Sequence, residues 1–224
     1  MSTRAGGEAL PRRRPAADGL FIVGLVGRTG SGKSAVARAL EADGAVVIEA
    51  DLVGHEITDR DPDVRAALAD EYGADVYGPD GRLDRRRVAA RVFADPQARA
   101  RLDRLVHPRL VARIEERMEG LRARGWRGVL VVDAALLLEW GLERSCDAVI
   151  AVTAAEAEQV RRLVRLRGWT EAESRGRLKA QRTDAAFRAA ADVTLDNSGN
   201  IEDLARTARA ALAALRAARP AEGG

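Results

Sequence analysis

The chain has 224 residues, 46% hydrophobic and 32% charged, a composition typical of a globular protein long enough for one large α/β domain or two small ones. The formal net charge is only +3 and aromatic residues make up 4%, which argues against nucleic acid as the main partner. No apolar run is long enough to span a bilayer, so no membrane partner is expected either.

The cysteine content and the two ends of the chain bear on location and domain organisation. Cys146 is the only cysteine, which excludes an intrachain disulfide and predicts a reducing, cytoplasmic compartment. Residues 1–19 contain arginines but no apolar core segment of a secretory signal. We expect disordered extensions at residues 1–19 and 217–224, flanking a folded domain over residues 20–216 that is a monomer or a weak homo-oligomer.

The stretch from Phe21 to Leu40 has the pattern of a strand, a glycine loop and a helix. Phe21-Ile22-Val23 is an apolar run typical of a short buried strand, and apolar residues recur at helical spacing from Val36 onward. Between them, Gly27–Ser34 fits G-x-x-x-x-G-K-[ST], the phosphate-binding P-loop. A glycine-rich turn with a chance lysine is the alternative, but such a turn seldom lies between a strand and an amphipathic helix.

A P-loop binds phosphate because its glycines let successive backbone N–H groups turn toward one anion at a helix N-terminus. The expected binding residues are Gly30, Ser31, Gly32, Lys33, Ser34 and Ala35. Lys33 would reach the outer phosphates, and the Ser34 hydroxyl would bind Mg²⁺. Lys33 and Lys179 are the only lysines among 37 basic residues, which is expected at position 33 if a compact ammonium must fit among phosphates.

A second apolar run, Ala45–Ile48, predicts a strand that ends just before Asp51. The carboxyl ends of the central strands form the ligand-binding rim of an α/β sheet, and the P-loop follows another strand at the same rim. We therefore favour a catalytic role for Asp51, while a cap for a helix beginning at Leu52 stays open. Strand alternation would point Glu49 the same way as Asp51 but further back.

The segment from about residue 60 to 125 has the pattern of a helical insertion without a strand of its own. A strong turn signal lies at Gly78–Gly81, and a long helical stretch begins at Pro96. Pro108 lies inside that stretch and predicts a kink or break near His107. In α/β phosphotransferases such an insertion commonly holds the phosphoryl acceptor, but His107 taken alone fits an ordinary surface or buried histidine equally well.

The second half of the chain completes the predicted sheet. Gly128–Val132 followed by Asp133 is the Walker B pattern, in which the acid can hold the magnesium shell, through water here. Further strands are predicted at Asp147–Val152 and Val193–Asp196, and an amphipathic helix closes the chain at Ile201–Leu215. The prediction is an α/β fold in three layers, with a five-stranded parallel sheet, the helical insertion and a helical lid.

A helix predicted over Glu156–Leu166 is crowded with cations. Its arginines are Arg161, Arg162, Arg165 and, just beyond, Arg167. With little acid among them they would repel one another, so either solvent or a polyanion must satisfy them. A solvated face is the usual explanation, but nucleotide kinases place a phosphate-covering lid at this point, here about residues 159–182. Gln159 and Arg162 share a face and could reach the same phosphates.

Several further motifs follow in chain order. They are V-I-x-A-D ending at Asp51, D-G-x-L-D-R from Asp80 to Arg85, His107-Pro108, Gln159-x-x-Arg162, Ala180-Gln181 and Asp196-Asn197-x-Gly199. Together with the P-loop G-S-G-K-S, this set resembles the dephospho-CoA kinase family over residues 22–215. The P-loop alone would indicate only a superfamily, whereas the whole set is highly specific.

The resemblance implies a kinase that transfers the γ-phosphoryl group of ATP to the ribose 3′-hydroxyl of dephospho-CoA with Mg²⁺, the last step of coenzyme A synthesis. It implies that Asp51 is the general base and that Arg85 and His107 belong to the acceptor-binding lobe. The arginine helix would be the lid, in which Arg162 is catalytic together with Lys33 and Asp51. Asn197 would lie on the adenine side of the ATP site.

The chain departs from the family pattern at several places. Arg28-Thr29 stands where the family usually has Gly-Ile, and Leu166 stands where a second lid arginine is expected. We expect Arg165 or Arg167 to replace that arginine. Another P-loop small-molecule kinase is the main alternative, and a decayed relative that binds without turnover is the non-enzyme alternative. A GTPase is disfavoured because N-K-x-D and D-x-x-G motifs are absent from the sequence.

Overall fold

The computed structural model of this chain describes residues 19–94 and 96–218. Apart from Gly19, Ala217 and Ala218, the two predicted extensions lie outside these residues. The described residues fall into two compact units, one made of residues 19–47 and 124–218 and the other of residues 48–94 and 96–123. Within them, no helix is both long and apolar enough to cross a membrane.

The order of strands and helices along the chain is that of an α/β protein. In chain order they are β1 (Leu20–Val26), α1 (Lys33–Ala42), β2 (Val46–Glu49), α2 (Ala50–Arg60), α3 (Pro62–Tyr72), α4 (Arg85–Ala94), α5 (Pro96–Ala123), β3 (Gly128–Asp133), β4 (Ala148–Thr153), α6 (Glu156–Arg167), α7 (Glu171–Lys179), α8 (Asp184–Ala190), β5 (Val193–Asp196) and α9 (Ile201–Ala217). Short 3₁₀ helices lie at Ala74–Val76 and Leu142–Ser145.

The strands form a five-stranded parallel sheet, as predicted. Their order in the sheet is β2-β3-β1-β4-β5. Every residue of the central strand β1 is buried, which fits a parallel strand covered on both faces. Leu25 near the end of β1 lies opposite Asp133 at the end of β3. Asp133 is therefore held next to the start of the loop that follows β1.

Helices cover both faces of the sheet and complete the three predicted layers. On one face, α1 and α9 pack together over a core that includes Val23, Leu25 and Val131. On the opposite face of β1, Gly24 faces Leu137 and Cys146, and a Cβ at Gly24 would lie 3.0 Å from Leu137 Cδ1. The absence of a side chain at this position lets the segment after β3 approach the sheet closely.

The second unit is helical, with α2 packed against α5. Apart from the last two residues of β2, its described residues include one isolated antiparallel bridge, between Tyr77 and Leu83. It begins at Ile48 rather than near residue 60, because α2 belongs to it. The N-terminus of α3 is capped by Asp61, whose side chain accepts hydrogen bonds from the N–H groups of Asp63 and Val64.

Of the kink or break predicted near His107, the break is wrong, because α5 runs through Pro108 as one helix. Proline has no N–H to donate to the carbonyl of Arg104, and this loss normally weakens a helix. Here the helix continues because the residues after Pro108 are fixed by burial, with Leu110 and Ile114 almost fully enclosed.

Candidate active site

The loop between β1 and α1 has a conformation that only glycine tolerates at three positions. Gly27, Gly30 and Gly32 have φ angles of 144°, 80° and 111°. A Cβ at Gly27 would collide with the carbonyl of Val152, and one at Gly32 would collide with the side-chain amide of Asn197. The glycines of the P-loop motif are therefore required both by the backbone and by what packs against it.

This loop presents unpaired backbone donors at the N-terminus of α1. The N–H groups of Gly30, Gly32 and Ser34 make no hydrogen bond within the described part of the chain. The N–H of Ser31 donates to the carbonyl of Arg28 at 3.1 Å, and that of Ala35 to the carbonyl of Gly32 at 2.9 Å. Unpaired N–H groups at a helix N-terminus form an anion site, so three of the six predicted binding residues have backbone donors available for phosphate.

Lys33 spans this loop. Its Nζ donates a hydrogen bond to the carbonyl of Gly27 at 3.1 Å, which holds the ammonium across the loop. Ser34 is exposed in the first turn of α1, and its hydroxyl is not bound to any other described residue. The ammonium and the hydroxyl are thus presented where the P-loop motif requires them.

Arg162 on α6 is bound to the same loop. Its guanidinium donates hydrogen bonds to the carbonyls of Gly30 at 3.3 Å, Ser31 at 3.4 Å and Asn197 at 3.1 Å. Its Nε also donates to Glu158 at 2.9 Å, and the side chain is 18% exposed. Arg162 is therefore held at the edge of the anion site by protein atoms alone.

The expectation that the arginines of α6 repel one another because little acid lies among them is wrong for Arg161 and Arg162. Glu158 forms ion pairs with both Arg161 and Arg162. Desolvation by burial raises the pKa of Glu158, but the hydrogen bond from Arg162 and the charges of both arginines outweigh it and lower that pKa. Arg165 and Arg167 are exposed and have no ion pair or hydrogen bond in the described chain, so they are available to an incoming polyanion.

Gln159 does not point toward the anion site, contrary to the expectation from its spacing with Arg162. The residue is fully buried, and its Nε2 donates to the carbonyl of Ala154 at 2.6 Å and to Asp184 at 3.4 Å. Its own backbone packs against the P-loop, since a Cβ at Gly30 would lie 3.0 Å from the Gln159 carbonyl oxygen. The backbone of Gln159 therefore stabilises the conformation of the P-loop.

Asn197, which the family resemblance places on the adenine side, is also bound to the loop. Its Nδ2 donates to the carbonyl of Ser31 at 2.7 Å, and its N–H donates to Thr153 at the end of β4 at 2.8 Å. Only 6% of the residue is exposed. The side chain thus positions the P-loop, a role that the sequence motif did not reveal; any contact with adenine stays a prediction.

Asp51 is exposed in the first turn of α2 and accepts no hydrogen bond from the described residues. It is not the helix cap, because α2 begins at Ala50 and Glu49 occupies the N-cap position without a side-chain bond. Strand alternation does not relate Glu49 to Asp51 either, since Asp51 is helical. An exposed carboxylate without a hydrogen-bond donor from the described chain is available to accept a proton from a bound ligand.

The predicted acceptor residues each have an acidic partner in the second unit. Arg85 donates to Asp59 at 3.0 Å, to the Thr58 hydroxyl at 3.1 Å and to the carbonyl of His55 at 3.4 Å. The His107 Nε2 lies 3.4 Å from the carboxylate of Asp103 one turn earlier. Because 37% of the Arg85 side chain and 31% of the His107 side chain are exposed, a ligand can still reach them.

His55 is a candidate that the sequence analysis missed. It is exposed on α2 one turn after Asp51, and the i,i+4 spacing of Asp51, His55 and Asp59 was the available signal. Burial and then the charge of Arg85 lower the pKa of His55, while Asp51 and Asp59 oppose the shift. At neutral pH its imidazole is thus mainly uncharged and can donate or accept a hydrogen bond.

Replacing Gly32 by alanine is expected to lower kcat/KM by about 10²-fold, because a Cβ there forces Asn197 away and misplaces the loop. The matched control is Gly176→Ala in the middle of α7, where a Cβ meets no heavy atom within 4 Å. The control should keep activity and raise the free energy of unfolding by about 0.5–1 kcal/mol. Equal activity losses in steady-state assays of the two variants would contradict the assigned role of Gly32.

Known proteins extend these observations. A sequence model described as dephospho-CoA kinase matches residues 21–203. The dephospho-CoA kinase of Thermobifida fusca is 44% identical over 186 residues, which cover 83% of this chain and 91% of the relative. That of Corynebacterium glutamicum is 39% identical over 185 residues, 83% of this chain and 92% of the relative.

Two solved structures share the fold. The crystal structure of TT1252 from Thermus thermophilus has a TM-score of 0.73 and 32% identity, and the match covers 87% of this chain and 97% of that one. Dephospho-CoA kinase from Campylobacter jejuni has a TM-score of 0.61, and the match covers 88% of this chain and 97% of that one. Its 18% identity supports the fold alone.

A parallel sheet with an anion-binding glycine loop, crossed by a lysine and bordered by an arginine helix, defines a P-loop kinase. The family match and the identities of about 40% over most of the chain make the assignment more specific. The chain belongs to the dephospho-CoA kinase family and is an enzyme of the final step of coenzyme A biosynthesis.

Proposed function

We propose that the enzyme transfers the γ-phosphoryl group of ATP to the ribose 3′-hydroxyl of dephospho-CoA, giving coenzyme A and ADP. The observation that carries this proposal is the anion site at the N-terminus of α1, with three unpaired N–H groups and two cationic side chains, Lys33 and Arg162. Phosphoryl transfer needs positioning and charge neutralisation more than covalent catalysis, and this site provides both.

In the proposed reaction, one bond to the γ-phosphorus forms and another breaks. The 3′-oxygen of the acceptor forms a bond to the γ-phosphorus, and the bond from that phosphorus to the β,γ-bridging oxygen breaks. The proton of the 3′-hydroxyl passes to the carboxylate of Asp51. Lys33 and the loop N–H groups neutralise the charge that develops on the transferred group and on ADP. Arg162 leaves the loop carbonyls and donates to the phosphates instead.

The residues near the loop fit a magnesium ion bound mainly through nucleotide and water. Mg²⁺ prefers oxygen ligands and is commonly held by one or two protein oxygens together with phosphates. The exposed hydroxyl of Ser34 and the carboxylate of Asp133, reached through water, are the proposed protein contributions. When bound, Mg²⁺ would supply charge neutralisation at the nucleotide phosphates.

We assign acceptor binding to the second unit. Arg85 and His107 would contact anionic or polar groups of dephospho-CoA, and the partly exposed guanidinium of Arg85 can do so while Asp59 keeps its orientation. A cytoplasmic location and a monomer or weak homo-oligomer stay predictions.

The lid arginines have separable expected effects. Arg162→Ala should lower kcat and kcat/KM together, by about 10²-fold, because its donors act on charge that develops in the transition state. Arg165→Ala or Arg167→Ala should also lower kcat, to a smaller extent, if one of them replaces the arginine missing at Leu166. Steady-state assays of the three variants decide this, and unchanged kcat in all three would show that the run is only a solvated basic face.

The proposed acceptor is tested by incubation of the purified enzyme with Mg·ATP and separate acceptors. The acceptors are dephospho-CoA, AMP, CMP, pantetheine and coenzyme A. Mass spectrometry should show a gain of one phosphoryl group on dephospho-CoA alone. Faster phosphorylation of AMP, CMP or pantetheine would replace the proposal with another small-molecule kinase, and no product from any acceptor would favour a binding protein without turnover.

A further inference from the structure

The two residues at which the P-loop departs from the family pattern, Arg28 and Thr29, are both bound to the lid. We use lid segment for residues 156–182, which contain α6 and α7. Arg28 donates to Glu156 at the start of α6 at 3.0 Å. Thr29 is bound to Gln181, just after α7, by two hydrogen bonds. The departures therefore add contacts between the loop and the lid segment rather than cations for phosphate.

The Thr29–Gln181 contact is reciprocal. The N–H of Thr29 donates to the Oε1 of Gln181 at 2.9 Å, and the Nε2 of Gln181 donates to the Thr29 hydroxyl at 2.9 Å. Because the backbone N–H must face the amide oxygen, the orientation of the Gln181 amide is determined. Both residues are partly buried, so the pair is shielded from competing water.

The Arg28 side chain is bound by an acidic residue of the lid segment. It is only 11% exposed, is paired with Glu156 and lies close enough to Asp184 to act on its titration. Burial raises the pKa of Asp184, and the charges of Arg28 and Arg188 act in the opposite direction. Arg28 thus belongs to a cluster of charged residues that includes Glu156, Asp184 and Arg188.

We propose that Thr29 and Gln181 are positioning residues that join the P-loop to the lid segment, so that the two move as one body when ATP binds. The proposal rests on the proposed function, because its consequence is the placement of Arg162 on the phosphates. Arg162 must exchange the carbonyls of Gly30 and Ser31 for phosphate oxygens, whereas the Thr29–Gln181 pair does not compete with phosphate. The pair can persist through the catalytic cycle.

This arrangement predicts a defect in kcat rather than in ATP binding. The loop N–H groups and Lys33 bind the phosphates whether or not the lid segment is aligned. Alignment of Arg162 matters most in the transition state, where small misplacements cost up to about 10²-fold. Loss of the Thr29–Gln181 pair should therefore lower kcat and leave the KM for ATP nearly unchanged.

The experiment compares Thr29→Val, Thr29→Ser and Gln181→Met with the wild-type enzyme. Thr29→Val keeps the shape but leaves the Nε2 of Gln181 without its acceptor, and Gln181→Met removes both hydrogen bonds. Each should lower kcat about 10- to 100-fold, with the KM for ATP within about twofold. Thr29→Ser keeps the hydroxyl and should retain the wild-type kcat.

The matched control is Thr183→Val, two residues beyond Gln181. Its hydroxyl accepts from the N–H of Ala186 at 3.2 Å and caps α8 without touching the P-loop. It should lower the thermal midpoint but leave kcat unchanged when assayed well below that midpoint. A kcat loss in Thr183→Val as large as in Thr29→Val would reduce the effect to general destabilisation and overturn the proposal.

Failure of this inference is distinguishable from failure of the proposed function. If wild-type enzyme phosphorylates dephospho-CoA but Thr29→Val and Gln181→Met match it in kcat, the positioning role is wrong and the proposed function stands. If these variants raise the KM for ATP with kcat unchanged, the pair serves nucleotide binding only and the inference is also wrong. If Gln181→Met fails to fold, the comparison of Thr29→Val with Thr29→Ser still decides.

Discussion

Lys33→Ala is expected to abolish detectable turnover while the protein stays folded. The ammonium is the compact cation inside the loop, held at 3.1 Å from the carbonyl of Gly27, and no other described lysine can replace it. Its main contribution is to neutralise charge on the transferred phosphoryl group, which forms only on the way to the transition state. The loss should therefore be in kcat and in kcat/KM together.

Two lysine variants provide the controls for this experiment. Lys179→Ala removes the only other lysine, an exposed residue at the end of α7, and should keep wild-type kcat. Lys33→Arg keeps the charge but introduces a planar guanidinium where a point charge is needed, and it should not restore turnover. Circular dichroism and thermal unfolding confirm that each variant is folded. Near-normal kcat in folded Lys33→Ala would contradict the assignment of this chain as a P-loop kinase.

Asp51→Asn should lower kcat by about 10²- to 10⁴-fold, the usual contribution of a general base, with little change in the dissociation constant for ATP. The carboxylate is exposed and accepts no hydrogen bond from the described chain, so the substitution removes a proton acceptor without breaking a structural contact. Measurement of kcat by product formation and of ATP affinity by calorimetry separates the two quantities.

Glu49→Gln and Asp133→Asn are the matched carboxylate-to-amide controls for Asp51. Glu49 is exposed at the N-cap of α2 without a capping bond, and its loss should be mild. Asp133→Asn should mainly raise the magnesium concentration needed for half-maximal rate. If Asp133→Asn were more damaging to kcat than Asp51→Asn, the general base would have to be reassigned to Asp133.

The loop and its flanking elements were predictable from the sequence because they depend on short-range constraints. A positive φ at Gly27, Gly30 and Gly32 is a local requirement, and a strand before the loop and a helix after it leave periodic apolar patterns. The order of five parallel strands was not predicted, since strand neighbours depend on crossovers that periodicity does not encode. The function was predicted from the family resemblance rather than from local sequence patterns.

Predictions from the sequence were wrong where a side chain has partners distant in sequence, or where tertiary packing outweighs a local conformational preference. The continuous helix through Pro108 is an example of the second kind. Gln159 was assigned to the phosphates by its spacing with Arg162, and Asn197 to the adenine side by the family resemblance. Their amides are instead bound to the backbone carbonyls of Ala154 and of Ser31 in the P-loop. No sequence pattern indicates this, because an amide can serve a ligand or the backbone equally well.

The Thr29–Gln181 pair illustrates the same limit. In the sequence, Thr29 is only a departure from the family pattern, and its partner Gln181 lies 152 residues away along the chain. The contact between them is therefore visible only in the folded protein.

The position of the transferred group tests the central claim most directly. The enzyme is incubated with Mg·ATP and either dephospho-CoA or its 3′-deoxyribose analogue, and the products are analysed by ³¹P NMR and by comparison with authentic coenzyme A. The account predicts a single product identical to coenzyme A from dephospho-CoA and no phosphorylated product from the 3′-deoxy analogue. A 2′-phosphate product, or phosphorylation of the 3′-deoxy analogue, would contradict it.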